Sequence, residues 1–216
     1  MDATKTKIHT VYKNAEGKRL PSVTTILGVL GKPALLEWAW KMGCEGKDYK
    51  AVRDNAADIG TLAHAMIQAH LKGEKADTSE YSAQDIEKAE NCLMKYWDWE
   101  KENPIVPVLV EASMVSETYQ YGGTIDCLAK LGDDLILIDH KTGKAIYSDM
   151  FIQLAAYQNL LQEAGHTIKN ARILRIGKDE TEGFEQRVAV DLSKYWELFK
   201  HCREIYELQK QIKGEN

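Results

Sequence analysis

Apolar residues in the middle of the chain run together or alternate with polar ones in a pattern typical of β-strands. Two such runs, at 124–131 and 135–138, flank the turn-forming residues Gly132, Asp133 and Asp134, and this arrangement predicts an antiparallel β-hairpin. Three further runs predict strands at 105–116, 171–176 and 184–190.

Helical periodicity dominates the chain before these strands and returns between and after them. The residues Ser22, Ser82, Ser148 and Asp191 are suited to capping the start of a helix. The apolar spacing predicts helices at 22–30, at 33–42, at 48–71, at 82–102, at 148–164 and from 191 onward. Strands and helices in this order predict an α/β (α+β) fold with a central sheet flanked by helices.

The length and composition predict one domain. The chain has 216 residues, of which 44% are hydrophobic, which is enough for a complete core. We therefore expect a single domain over 1–216: a mainly helical N-terminal part (1–103), a sheet core that contains the hairpin (104–190) and a C-terminal helix (191–216).

The second strand of the hairpin ends in the sequence Asp139-His140-Lys141. Side chains alternate along a strand, so Asp139 and Lys141 should point the same way and His140 should point away. Asp126, on the first strand, could reach the same end of the hairpin. Two carboxylates and one ammonium group would suit a hard divalent cation beside a phosphate.

This grouping indicates phosphodiester hydrolysis. Magnesium held by one or two carboxylates neutralises charge on the phosphate and activates a water molecule. Asp126 and Asp139 could supply the carboxylates, and the backbone carbonyl of His140 could add an oxygen. Lys141 could bind the water or the phosphate. An Asp-x-Lys sequence is also common as a solvated surface pair, so context has to decide.

The context is an ordered series of short motifs. Gly122-Gly123-Thr124-Ile125-Asp126 is followed by Asp139, by Lys141-Thr142-Gly143 and by Gln153-x-x-x-Tyr157. This series resembles the RecB-type branch of the PD-(D/E)XK nuclease superfamily, whose pattern is His, Gly-x-x-Asp, Asp-x-Lys-Thr and Gln-x-x-x-Tyr. Ile125 stands where the superfamily's name has a proline, a residue that only precedes the acid.

Upstream residues extend the resemblance. The sequence at 60–64, Gly-Thr-Leu-Ala-His, resembles the first motif of the family, which carries a histidine at the metal. The sequence at 20–27, Leu-Pro-Ser-Val-Thr-Thr-Ile-Leu, resembles phage-type exonucleases of this branch and the mitochondrial genome maintenance exonuclease. The resemblance therefore covers residues 20 to about 157.

The resemblance implies a restriction-endonuclease-like core with an N-terminal helical region over the active site. It implies one or two Mg²⁺ or Mn²⁺ ions and a DNA substrate, either single-stranded or with an end. Carried over by position, it gives metal roles to His64, Asp126 and Asp139, to which the chemistry above adds the His140 carbonyl. Catalytic roles fall to Asp126, Asp139, Lys141 and, at an acidic position before the hairpin, Glu111. DNA-binding or supporting roles fall to Gln153, Tyr157, Thr142 and Lys144.

Two of these residues have other interpretations. Glu111 is isolated among apolar residues, where an unpaired carboxylate is unfavourable. It could hold Lys141, touch a metal-bound water or form a structural ion pair. His64 alone, on a predicted helix, would more often be a structural histidine than a metal ligand.

Charge, cysteines and missing motifs narrow the functional class. The net charge is −5, so a passive nucleic-acid coat is not indicated. The four cysteines are far apart, and we predict no zinc site, disulfide framework or Fe-S cluster. We find no Walker A sequence, so no bound nucleotide is expected.

Without a signal sequence or membrane span, we expect a cytoplasmic monomer, bacterial or phage-encoded, that has no membrane contact.

Two classes of function remain open. The first is a metal-dependent deoxyribonuclease: an exonuclease, as in DNA repair or phage recombination, or an endonuclease of the same fold. The second is a catalytically silent module that binds DNA or protein. Silent members should lose an acid or the lysine, whereas Asp126, Asp139 and Lys141 are all present.

Overall fold

Five strands form the central sheet of the protein, which a computed structural model describes over residues 10–214. The strands are β3 (Ile105–Ser116), β4 (Tyr121–Leu131), β5 (Asp134–Lys141), β6 (Asn170–Ile176) and β7 (Phe184–Ala189). They lie side by side in chain order. All neighbours are antiparallel except β5 and β6, which are parallel. The predicted central sheet is confirmed, and it is a mixed sheet.

Helices cover both faces of this sheet. They are α1 (Val23–Leu27), α2 (Pro33–Cys44), α3 (Tyr49–Lys72), α4 (Ala83–Glu102), α5 (Ser148–Glu163) and α6 (Ser193–Lys213), with a 3-10 turn at Gly28–Leu30. A small hairpin, β1 (Tyr12–Lys13) and β2 (Arg19–Leu20), precedes them. No helix within 10–214 combines the length and the apolar character that a bilayer span requires.

Capping side chains fix the start of several helices. Asp48 accepts hydrogen bonds from the backbone N–H groups of Lys50 and Ala51 at the start of α3, and Ser82 accepts one from Asp85 at the start of α4. These bonds satisfy donors that a helix cannot satisfy internally. At α5 the prediction was wrong, because Ser148 is the first helical residue and Tyr147 is the N-cap.

Two hydrophobic clusters lie on opposite faces of the sheet. One cluster joins α3 and α4 to alternate residues of β5, Ile136 and Ile138. The other joins α1, α5 and α6 to Leu137 on the same strand. His140 lies on the same face of β5 as Ile136 and Ile138, and Asp139 lies on the same face as Leu137. The two neighbours therefore point to different helical layers.

The alternation of faces reverses once along β4. Ile125 and Leu128 belong to the same cluster although they are three residues apart, and a regular strand would place them on opposite faces. The reversal occurs around Asp126. On the neighbouring strand Glu111 lies between residues paired with 125 and 127, and its φ of 53° is left-handed. Local irregularities of this kind bend a strand and redirect a side chain.

The helix α2 lies outside both clusters. None of the side chains described in α2 is buried, and the first buried residue of α3 is Ile59. Leu36 and Trp40 are 76% and 72% exposed. Trp40 is therefore a surface residue and not part of the core.

Candidate active site

The ladder between β4 and β5 ends where the candidate acids begin. The last strand pair on that side is Cys127 with Ile138. One step further, the backbone N–H of His140 donates to Asp126 Oδ2 at 2.8 Å. The Asp126 carboxylate therefore takes the place of a strand partner, and the gap between the strands opens at the position of the two acids.

Asp139 and Lys141 form an ion pair on one side of β5, as strand alternation predicted. Lys141 Nζ lies 2.5 Å from Asp139 Oδ2, and the Asp139 side chain is 1% exposed. The second oxygen, Oδ1, is buried and meets no hydrogen-bond donor from the described residues. A buried carboxylate oxygen without a donor is unfavourable unless something else binds it.

Burial and charge act in opposite directions on this pair. Desolvation raises the pKa of Asp139 to about 6, although Lys141 opposes the change. For Lys141, desolvation favours the neutral amine, but the charges of Asp139 and Asp126 outweigh it and raise the pKa. Lys141 therefore remains an ammonium group at neutral pH.

Asp126 is stabilised in its ionised form. Its Oδ2 lies 3.7 Å from His64 Nδ1 and 3.7 Å from His140 Nδ1. Desolvation would raise the pKa of Asp126, but the charges of His64 and Lys141 and the hydrogen bond from the His140 N–H lower it. The structure thus brings His64, on α3, to Asp126 rather than to Asp139.

The His140 side chain is buried on the α3/α4 face, as predicted. Its ring lies against the rings of Tyr96 and His64, with centroid distances of 5.4 and 6.0 Å. Burial lowers the pKa of His140 to about 4, so the imidazole is neutral. Its role in the site is therefore through its backbone and its packing.

Glu111 and His64 line a pocket of about 500 Å³ between α3 and the sheet. Asp126 and Thr142 also line it. Glu111 is accessible to solvent. Its carboxyl group is nevertheless partly desolvated in this concave position, and the desolvation raises its pKa. The charge of Asp126 raises the pKa further. Among the described residues no ion pair between Glu111 and Lys141 is found, so that alternative for Glu111 is not supported.

Gln153 and Tyr157 lie on one face of α5 and are joined by a hydrogen bond. Gln153 Nε2 donates to Tyr157 OH at 2.7 Å. Gly123 allows this arrangement, because a Cβ there would lie 2.6 Å from Tyr157 Cε1. The charges of Asp139 and Asp126 contribute to a raised pKa of Tyr157, after desolvation, which places its ring near both acids.

Thr142 and Lys144 have different surroundings. A Cβ at Gly60 would lie 2.6 Å from Thr142 Oγ1, so α3 and the end of β5 approach closely at this glycine. Lys144 is exposed in the loop before α5. These positions show that Thr142 borders the pocket and that Lys144 is accessible from solvent.

Sequence reasoning missed one contributor, Tyr12. A Cβ at Gly122 would lie 2.2 Å from the Tyr12 ring, which covers this glycine. Tyr12 OH is 2.8 Å from Thr124 Oγ1, which is 3.0 Å from Ser113 Oγ. The adjacent glycines Gly122 and Gly123 could have indicated that large side chains pack against this part of β4. They could not have identified those side chains.

A metal ion would find carboxylate oxygens but no preassembled cage. Within the described part of the chain, no three His, Cys, Asp or Glu side chains form a group ready to hold a metal. His64 lies on the α3/α4 side, whereas Asp139 faces α5 and contacts Lys141. The predicted ligand set His64, Asp126 and Asp139 therefore stays a prediction.

Comparison with known proteins identifies the family. The sequence profile of the PD-(D/E)XK nuclease superfamily matches residues 35–215. A search of curated proteins finds no match.

Two solved structures are reported for comparison, and of these the first shares the fold. A candidate exonuclease from Eubacterium rectale shares 12% identity at a TM-score of 0.54, over 100% of this chain and 88% of that one. An alkaline exonuclease from Laribacter hongkongensis shares 10% identity at a TM-score of 0.45, over 69% of this chain and 78% of that one.

Proposed function

The chain belongs to the PD-(D/E)XK nuclease superfamily, and on that premise we propose that it is a Mg²⁺- or Mn²⁺-dependent DNA exonuclease. The observation that carries the proposal is the buried Asp139 carboxylate, with one oxygen on Lys141 and the other without a donor from the described residues. Asp126 lies across the gap in the sheet, ionised and partly accessible.

These residues fit a magnesium or manganese ion. Such ions prefer carboxylate and carbonyl oxygens and keep several water molecules, so two protein carboxylates can suffice. Asp126, Asp139 and the His140 carbonyl would hold the ion, with His64 or Glu111 completing the site. When bound, the ion would neutralise phosphate charge and lower the pKa of a bound water.

The chain's own residues would orient the substrate and stabilise charge. The Lys141 ammonium, held by Asp139, can donate hydrogen bonds to the attacking water or to a phosphate oxygen as negative charge develops. Gln153 and Tyr157 are fixed by their mutual hydrogen bond, and they would support the phosphate or the Asp139–Lys141 pair. The cleaved P–O bond leaves one hydroxyl and one phosphate end.

Preference for DNA ends rests on the resemblance of residues 20–27 and of the motif series to phage-type exonucleases. Covalently closed circular DNA tests this part. We expect the protein to degrade linear DNA and to leave the circle intact, because an exonuclease requires an end. Cleavage of the circle would show an endonuclease instead.

Cleavage of end-labelled single-stranded DNA in Mg²⁺ tests the proposed active site. We expect Lys141→Ala and Asp139→Asn to reduce the rate at least about 100-fold, because each removes preorganised charge stabilisation. Lys130→Ala is the control, since Lys130 is an exposed lysine at the far end of the same hairpin. Equal cleavage by all four proteins would overturn the site. Binding without cleavage by any of them would indicate a silent DNA-binding module.

A further inference from the structure

A second pocket, of about 610 Å³, lies apart from the acids, where α2, the start of α5 and α6 meet. We name it the Tyr147 pocket. Its apolar lining comes from Leu30, Leu35, Trp38, Tyr147, Ile152 and Leu198. Tyr147 is 53% exposed, so a flat ligand could reach its ring from solvent.

Charged residues mark the rim of this pocket. Lys32 Nζ lies 3.6 Å from Asp149 Oδ2, and both side chains are accessible to solvent. An exposed pair of this kind contributes little stability and can be broken by a competing anion. Lys32 is therefore able to bind a phosphate beside an apolar, aromatic cavity.

The Tyr147 pocket is connected to the proposed catalytic centre by a short segment of chain. Tyr147 follows Lys141 by six residues, a span of at most about 20 Å even when fully extended. Asp149, on the rim, is close enough for its charge to contribute to the raised pKa of Lys141. A DNA strand placed at Lys141 would therefore pass within reach of the pocket.

We propose that the Tyr147 pocket receives an unstacked nucleobase of the bound DNA strand, while Lys32 binds a neighbouring phosphate. The inference rests on the proposed DNA substrate. Aromatic rings beside a cation are the usual means of holding single-stranded nucleic acid, because every base has a stacking face. Bases in a duplex are paired and stacked, so the pocket selects single strands or frayed ends.

The test compares two oligonucleotides of equal length, one normal and one with abasic residues throughout, each bound to the protein in chelator. The phosphates are the same, so a difference in affinity reports the bases. We expect Tyr147→Ala to weaken binding of the normal oligonucleotide roughly tenfold and to leave the abasic one within about twofold. Trp38→Ala should behave in the same way.

The matched control is Trp97→Ala, which removes a partly exposed tryptophan on α4, packed against His70. It should leave both affinities unchanged. Equal binding of the normal oligonucleotide by Tyr147→Ala and wild type, equal losses for both oligonucleotides, or no binding by wild type would each overturn the inference. Because no cleavage is measured, this result is independent of whether the protein proves to be a nuclease.

Discussion

Asp139 is a residue at which folding and the proposed chemistry oppose each other. Its folded-state pKa of about 6 lies above the value in an unfolded chain, so the folded state prefers the protonated acid. Stability from this group is present below about pH 4 and is lost as the pH rises through about 6.

This linkage predicts a pH effect that Asp139→Asn should remove. In chelator, the free energy of unfolding of wild type, relative to the variant, should fall by about 1–2 kcal/mol between about pH 5 and about pH 7.5. Urea denaturation of both proteins at the two pH values measures this difference. A constant difference would show that Asp139 is ionised throughout and that Lys141 outweighs its burial.

Individual side chains were predictable where one rule determined them. Strand alternation placed Asp139 with Lys141 and turned His140 away. On helices, the spacing of apolar residues determines less: along α4, Trp97 is 40% exposed whereas Trp99 is 6% exposed. Helical periodicity allows several rotations of the stripe, and tertiary packing decides among them.

At the scale of elements, the contact between β4 and α5 depends on a glycine. A methyl group at 123 would lie 2.6 Å from the ring of Tyr157, which is 5% exposed and cannot move freely. We expect Gly123→Ala to lower the free energy of unfolding by about 1–3 kcal/mol, because overpacking forces the helix or the ring to shift. Chemical denaturation measures the change.

The control for this variant is Gly43→Ala in α2. Apart from the backbone of its own helix, no atom of the described residues lies within 4 Å of the added methyl group. Alanine also favours a helix over glycine by up to about 1 kcal/mol. Its stability should be unchanged or higher. If Gly123→Ala also unfolds like wild type, β4 and α5 are not packed as described.

Most elements were predictable within a few residues, but their irregularities were not. The strand β4 begins at Tyr121 rather than at 124, because its paired glycines resemble a turn. The reversal of faces at Asp126 left no trace in composition, since residues on both sides favour strands. The reversal lies opposite the irregular backbone at Glu111, and the sequence does not show that irregularity.

At the scale of the whole molecule, metal binding at the end of β5 should stabilise the fold. A ligand at about 100 times its Kd adds about 2.7 kcal/mol, which for a chain of this size raises the Tm by roughly 5–10 °C. Mn²⁺ should therefore raise the Tm of wild type and of Lys130→Ala, but not that of Asp139→Asn. An equal rise in all three would place the ion elsewhere.

The global architecture was predictable because strands occupy the sheet in chain order and the motif series resembles one family. The assembled site was less so. Motif order implied that His64, Asp126 and Asp139 converge on one ion, and this stays a prediction; the ion pairs of the described residues join His64 to Asp126 and Asp139 to Lys141. Sequence motifs identify which residues belong to the site. The distances between those residues depend on how the helices pack against the sheet, which the motifs do not specify.

The helix α2 has an evolutionary consequence. Because none of its described side chains is buried, mutations there are shielded from selection on folding. A substitution at Leu36 or Trp40 would remove no buried contact of the core, so α2 can change its surface while the sheet and its acids stay constant.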